Sequence, residues 1–185
     1  MQKHVERIDR KSVYDGSIIE VFQDDIELPD GKVEKWDFVA HKKGAAAVLA
    51  VLKNGNILMV RQYRPALDRY TLEIPAGARD DTDEPTEVCA RRELTEETGY
   101  IPKSMKRILS LKTTVAFCNE PIDVYLADNL ENKTTQSLDE AESIDVEEWQ
   151  LSDLLERIFD GTIQDSKTVS AILAYNALKK MNAYE

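Results

Sequence analysis

Apolar and polar positions alternate through the first third of the chain in the manner of strands. Residues 14–26 (YDGSIIEVFQDDI) read as one strand, Leu28-Pro29-Asp30-Gly31 as a turn and residues 32–41 (KVEKWDFVAH) as the partner, which predicts an N-terminal hairpin. The run 45–52 (AAAVLAVL) is apolar throughout and short for a helix, and Asn54-Gly55 then turns the chain into 57–63 (ILMVRQY). A central hairpin is expected there. A third apolar stretch, 71–74, ends at Pro75-Ala76-Gly77, which reads as a loop.

The pattern then changes period. Asp80, Asp81, Thr82 and Asp83 are N-cap candidates, Pro85 is compatible with a first helical turn, and Gly99 supplies a C-terminal stop after Thr98, so this block is expected to be a helix. Strand-like segments follow around 107–114 and 122–126, then a polar stretch at 128–143 and a last strand at 144–149. Ser152 opens a helical pattern through Phe159 that Gly161 ends. Ser166 caps another, reaching Lys180, with Val169, Ile172, Leu173, Tyr175 and Leu178 on its apolar side. The elements add up to a mixed sheet with at least three helices, without internal repeats or a low-complexity linker.

Composition narrows the class. A chain of 185 residues with 42% hydrophobic residues can fill one core unaided, with room for a small appended element. Cys89 and Cys118 lie far from metal-ligand spacing and read as buried free thiols, which suits a reducing cytoplasm. The N-terminus MQKHVERIDRKS lacks an apolar core for targeting, and no apolar run approaches bilayer length, so membrane association is not expected. A formal net charge of -11 argues against nonspecific nucleic-acid binding, which needs clustered cations. An acidic enzyme acting on an anion must overcome the same repulsion locally, with metal ions and a few placed arginines.

The candidate chemistry lies on the predicted helix. Residues three and four apart share a helical face, so Glu93, Glu96 and Glu97 project into one small volume and repel one another. Two readings stand: a solvated charged face, or a platform for a hard divalent cation such as Mg²⁺ or Mn²⁺, with Arg92 orienting one carboxylate. The glycine-containing loop before the helix and Gly99 after it favour the platform.

Residues 77–100, GARDDTDEPTEVCARRELTEETGY, resemble the Nudix box of the Nudix hydrolases. Glu84 stands before Arg92, and Glu93, Leu94, Glu96, Glu97, Gly99 and Tyr100 occupy the remaining positions, but six residues rather than five separate Gly77 from Glu84. This resemblance implies an α+β fold, an α/β/α sandwich with a mixed central sheet and an N-terminal antiparallel hairpin extension. It implies a metal-dependent hydrolase that cleaves a diphosphate with water. Glu93, Glu97 and the Ala76 carbonyl would hold Mg²⁺ (or Mn²⁺), and Glu96 would complete the cluster with Arg92 beside it.

Beyond the box, residues 60–77 (VRQYRPALDRYTLEIPAG), the N-terminal strands and GTIQDSKTVSAILA are similar to the ADP-ribose pyrophosphatase branch. That likeness implies residues 1–43 as an extension making dimer and nucleotide contacts, residues 44–185 as the hydrolase domain, and a homodimer. The expected reaction is ADP-ribose to AMP and ribose 5-phosphate. GDP-mannose, another nucleotide sugar or a dinucleotide is the alternative substrate, and a non-catalytic nucleotide-binding regulator is the reading from another class. Arg64 would meet the substrate's phosphates or else pair with Glu73 or Asp68. Trp36 would stack on the base or else fill the core. Glu73 is a further candidate for metal or ribose, whereas His41 is expected to be structural. Within 138–146 (LDEAESIDV), Glu140 would be the catalytic carboxylate and Glu142 an additional metal ligand, or the segment is an ordinary acidic loop. One marker departs from the branch: where many of its members carry a Pro-Gly loop beyond the box, this chain reads Lys112-Thr113-Thr114-Val115-Ala116-Phe117.

Overall fold

The computed structural model describes residues 4–131, 134–138 and 143–181. A seven-stranded mixed sheet forms the centre, built from β4 (Ala45–Val51), β5 (Ile57–Arg64), β6 (Arg69–Glu73), β7 (Ala76–Ala78), β8 (Ile101–Lys112), β9 (Pro121–Glu131) and β10 (Ile144–Trp149). Its main path runs β10-β5-β4-β9-β8, with β6 added to β5 and β7 to β4. Helix α1 (Thr86–Thr98) covers one face, and α2 (Leu151–Phe159) and α3 (Ser166–Lys180) cover the other.

The unbroken apolar run of β4 has a direct cause. Ala46, Val48 and Ala50 pack toward Cys89, Ala90 and Leu94 of α1, while Ala47 and Leu49 join the core with Leu154 of α2 and Ile172 of α3. A strand buried on both faces has no polar side to show. The turn at Asn54-Gly55 is present, but β4 and β5 pair only through Ala50↔Leu58 and Val51↔Ile57. Beyond that point β4 runs parallel to β9 and takes β7 on its other edge, so the expected hairpin is reduced to its tip.

The N-terminal hairpin is larger than expected. A separate three-stranded antiparallel sheet orders β1 (Glu6–Asp15), β2 (Ile19–Glu27) and β3 (Val33–His41) as β1-β2-β3. Its tie to the main body is short: the Val39 N–H donates to the Phe117 carbonyl (2.7 Å) and the His41 N–H to Asn119 Oδ1 (2.8 Å).

Several boundaries also moved. Pro75-Ala76-Gly77, expected as a loop, runs into β7, whose pairing with β4 uses only backbone groups. Helix α1 begins at Thr86 rather than within the aspartates; Pro85 is its N-cap residue and no side chain caps it. Gly99 ends it in the left-handed conformation at φ 73°, as expected. Asp165, not Ser166, caps α3 by accepting from the Thr168 N–H. Both cysteines are free, Cys89 buried and Cys118 half-buried. Among the described residues no helix is long and apolar enough to cross a membrane.

Candidate active site on helix α1

The site is assembled where β7 meets α1. The Ala76 N–H donates to Glu97 Oε2 (3.1 Å), and Glu97 is 3% exposed. In a strand the N–H and C=O of one residue point to the same side. The Ala76 carbonyl therefore faces away from β4, on the side of Glu97. At the next residue the Glu93 carboxylate lies where a Cβ would be, so Gly77 leaves room for that carboxylate against the strand.

Arg92 is the hub of the acidic face. Its Nη1 donates to Glu93 Oε1 (2.7 Å) and Glu96 Oε2 (3.1 Å), its Nε and Nη2 to the Glu84 carboxylate (3.4 Å each), and its Nη2 also to the Ala78 carbonyl (3.0 Å). Asp80 adds a fourth carboxylate, 3.4 Å away. Burial works against the charge of Arg92, but Glu84, Glu93 and Glu96 outweigh it and raise its pKa. Burial likewise opposes ionisation of Glu84, which is nevertheless held below its ordinary value by the Asp80 N–H and Arg92. Cys89 beneath them has its thiol pushed up to about 12 by burial and by Glu93 and Glu84, so it stays protonated and unreactive.

Segment 134–138 finishes the C-terminal end of α1. The Ser137 N–H donates to the Glu96 carbonyl (3.0 Å), Gln136 Nε2 to the Glu97 carbonyl (2.6 Å) and the Thr134 N–H to the Gly99 carbonyl (2.6 Å). These bonds satisfy carbonyls that a helix end leaves without partners.

A cavity of about 540 Å³ opens over this face, lined by Gly77, Arg79, Arg92, Glu93 and Glu96. A second of about 330 Å³ shares Gly77 and Ala78 with it and extends to Arg64, Glu120, Ser166 and Lys167. Together they form a groove whose lining mixes charges, Glu93 and Glu96 with Arg79 and Arg92 on the α1 side and Glu120 with Arg64 and Lys167 on the other.

The Arg64 side has its own ion cluster. Arg64 pairs with Glu73 through Nε (2.8 Å) and Nη2 (2.6 Å), Lys167 Nζ donates to Glu73 Oε2 (2.6 Å) and Thr71 Oγ1 to Glu73 Oε1 (2.6 Å). Of the two ion pairs expected for Arg64, the one with Glu73 is present. Burial would raise the Glu73 pKa, but Arg64 and Lys167 bring it down to about 2.

Other expected residues lie elsewhere. Trp36, on β3, is 46% exposed, which sets aside the core alternative, and it lines neither cavity. His41 is engaged structurally, its Nδ1 accepting from the Gly44 N–H (2.9 Å) while Nε2 faces Glu120 (3.4 Å). Glu140 and Glu142 fall outside the described residues. Among the described residues no three acidic, histidine or cysteine side chains are grouped as a metal site, because Arg92 draws Glu93 and Glu96 to itself. Lys167 and Asp165 were not anticipated individually; their only sequence signal was the similarity of the GTIQDSKTVSAILA stretch.

Comparison with known proteins places the chain among relatives of one family. The NUDIX domain family model matches residues 41–171. The chain is 40% identical over 166 residues to the ADP-ribose pyrophosphatase of Bacillus subtilis, covering 89% of each protein. It is 39% identical over 166 residues to the methanol dehydrogenase activator of Bacillus methanolicus, again covering 89% of each. It is 34% identical over 155 residues to the GDP-mannose pyrophosphatase of Cronobacter sakazakii, covering 78% of this chain and 80% of that one. A crystal structure of an ADP compounds hydrolase superposes with a TM-score of 0.83 at 20% identity, over 98% of this chain and 97% of that one, which is a likeness of fold.

Proposed function

The chain belongs to the Nudix hydrolase family, and we propose that it hydrolyses the diphosphate bond of a nucleoside diphosphate sugar, converting ADP-ribose to AMP and ribose 5-phosphate. The observation that carries this reading is the cluster around Arg92, where Glu93 and Glu96 of α1 and Asp80 and Glu84 of the preceding loop share one guanidinium beside an open cavity. The 40% identity to an ADP-ribose pyrophosphatase supports the substrate.

The donor set suits Mg²⁺, with Mn²⁺ as a substitute: Glu93, Glu97 and the Ala76 carbonyl would hold it together with Glu142, all hard oxygen donors. The approach of Glu93 to Gly77 and the hydrogen bond from the Ala76 N–H to Glu97 support a shared role for Glu93, Glu97 and Ala76. Bound there, such a cation would supply charge neutralisation of the diphosphate and a lowered pKa for the attacking water. The chain's own residues do the rest. Arg64 donates to the substrate's phosphates from Nη1, which makes no hydrogen bond among the described residues, while Glu73 holds the other edge of the guanidinium. Glu140 accepts the proton of the attacking water, Glu96 completes the cluster, and Arg92 keeps its carboxylates oriented.

Residues 1–43 serve as the dimer and nucleotide-contacting extension of a hydrolase domain at 44–185. Val5, Ile8, Val13, Tyr14, Ile18 and Val33 are all exposed there, an apolar set that a second copy would cover. In the homodimer Trp36 stacks on the base. The free thiols are consistent with a cytoplasmic setting.

A second reading keeps the reaction and changes the sugar nucleotide. The absent Pro-Gly loop at 112–117 and the likeness to a GDP-mannose pyrophosphatase support it. Incubation with Mg²⁺ and a nucleotide-sugar panel tests both. ADP-ribose is expected to be the best substrate; faster turnover of GDP-mannose would overturn the substrate while leaving the reaction class, and no hydrolysis of any compound would overturn the whole reading.

A further inference from the structure

The stretch 161–174, GTIQDSKTVSAILA, is distant from the box in sequence, yet its polar residues close onto the strand end that carries the site. Asp165 caps α3, accepting from the Thr168 N–H (3.0 Å) and the Thr168 hydroxyl (2.6 Å). That hydroxyl in turn accepts from the Ile74 N–H (3.0 Å). Lys167, 9% exposed, donates to Asp165 Oδ2 (2.9 Å) and to Glu73 Oε2 (2.6 Å). Adjacent residues of α3 thus grip adjacent residues at the end of β6, immediately before the Pro75-Ala76-Gly77 segment.

The charges explain why a lysine is useful here. Arg64 and Glu73 alone form a neutral pair, and a guanidinium so compensated attracts an anion weakly. Lys167 brings a second cation to the same carboxylate. Asp165 Oδ2 accepts from Lys167 as well as from the Thr168 N–H at the N-terminal end of α3, so Lys167 is held between two carboxylates, one of them also stabilised by the helix dipole. Arg64 and Lys167 both line the cavity that reaches Ala76 and Gly77, together with Asp165 and Glu120.

We infer that Lys167 is a positioning residue for substrate binding, acting through Glu73 to fix the Arg64 guanidinium and to leave its charge available to the substrate's phosphates. The inference rests on the reading of Arg64 as a phosphate contact. It places Lys167 outside the bond-breaking step, so its loss acts on KM and leaves kcat largely intact.

The test compares Lys167→Met, Lys167→Gln, Lys167→Arg, Arg64→Ala and the Arg64→Ala/Lys167→Met double variant, with ADP-ribose and Mg²⁺, alongside thermal unfolding of each. Lys167→Met is expected to raise KM roughly tenfold, the effect of one disrupted charge-assisted hydrogen bond. Lys167→Arg should restore most of the loss, and Lys167→Met should add little once Arg64 is gone. Lys167→Gln keeps a donor without the charge and carries the test if the methionine variant does not fold. A lowered Tm with unchanged KM in the Lys167 variants, while Arg64→Ala raises KM, would make Lys167 purely structural and overturn the inference alone. An unchanged KM in Arg64→Ala would overturn the reading of Arg64 and the inference with it.

Discussion

Two glutamate clusters flank the groove, and they are balanced in opposite ways. At the β6–α3 end one buried carboxylate, Glu73, is met by Arg64, Lys167 and Thr71. At the α1 end Asp80, Glu84, Glu93 and Glu96 converge on one guanidinium. The first cluster is closed and needs nothing further. The second retains negative charge that one arginine cannot neutralise, so a divalent cation would be stabilised there, whereas the first already holds its own cations. A diphosphate coordinated by metal at one end and by arginine at the other suits that polarity.

The sharpest way to break this contrast is to remove the carboxylate that follows the open cluster on α1, where Glu97 meets the Ala76 N–H. Glu97→Gln should lower turnover roughly a thousandfold with the fold retained by circular dichroism, because a catalytic metal's charge stabilisation is worth several kcal/mol. Unaltered activity would refute the metal assignment. Glu140→Gln should lower kcat about a hundredfold or more, as for loss of a general base, with metal affinity little changed; an unchanged kcat removes Glu140 as the proton acceptor.

A smaller effect tests the place of the Glu93 carboxylate against the strand. Gly77→Ala sets a methyl group against the Glu93 carboxylate. The Glu93 side chain can rotate away, so unfolding in denaturant should be little changed while turnover falls roughly tenfold as the carboxylate leaves its place. Unchanged turnover would mean that the position of the Glu93 carboxylate does not matter.

The closed cluster should reveal itself in acid. The folded-state pKa of Glu73 is depressed from 4.5 to about 2, so its contribution to stability is present above 4.5 and is lost as the pH falls through about 2. Glu73→Gln should therefore flatten the dependence of Tm on pH in that window, and an unchanged slope would show that the ion cluster does not stabilise the folded state.

Legibility in the sequence followed how local each feature is. Helix α1 was readable because its glutamates keep helical spacing and Gly99 ends it. Strand β1 was not, because ERIDRKSVYD buries neither face and so shows no alternation. Strand β7 was hidden for another reason: its three residues pair through backbone alone, and Pro75 and Gly77 carry the signature of a loop. The curtailed β4–β5 hairpin shows the limit of turn signals, since Asn54-Gly55 reports the reversal but not that β7 and β9 take the edges of β4. Within the site, the carboxylates of α1 were legible together with their arginine. Lys167 was not, because it meets Glu73 across 94 residues of sequence, and only folding brings the two together.

Metal binding measured without turnover tests the contrast most directly. In a Mn²⁺ titration followed by electron paramagnetic resonance, the parent protein should bind, Glu93→Gln and Glu97→Gln should bind at least about tenfold more weakly, and Glu73→Gln should match the parent. Equal affinity in the parent and both α1 variants, or a loss confined to Glu73→Gln, would contradict the assignment of the cation to the open cluster.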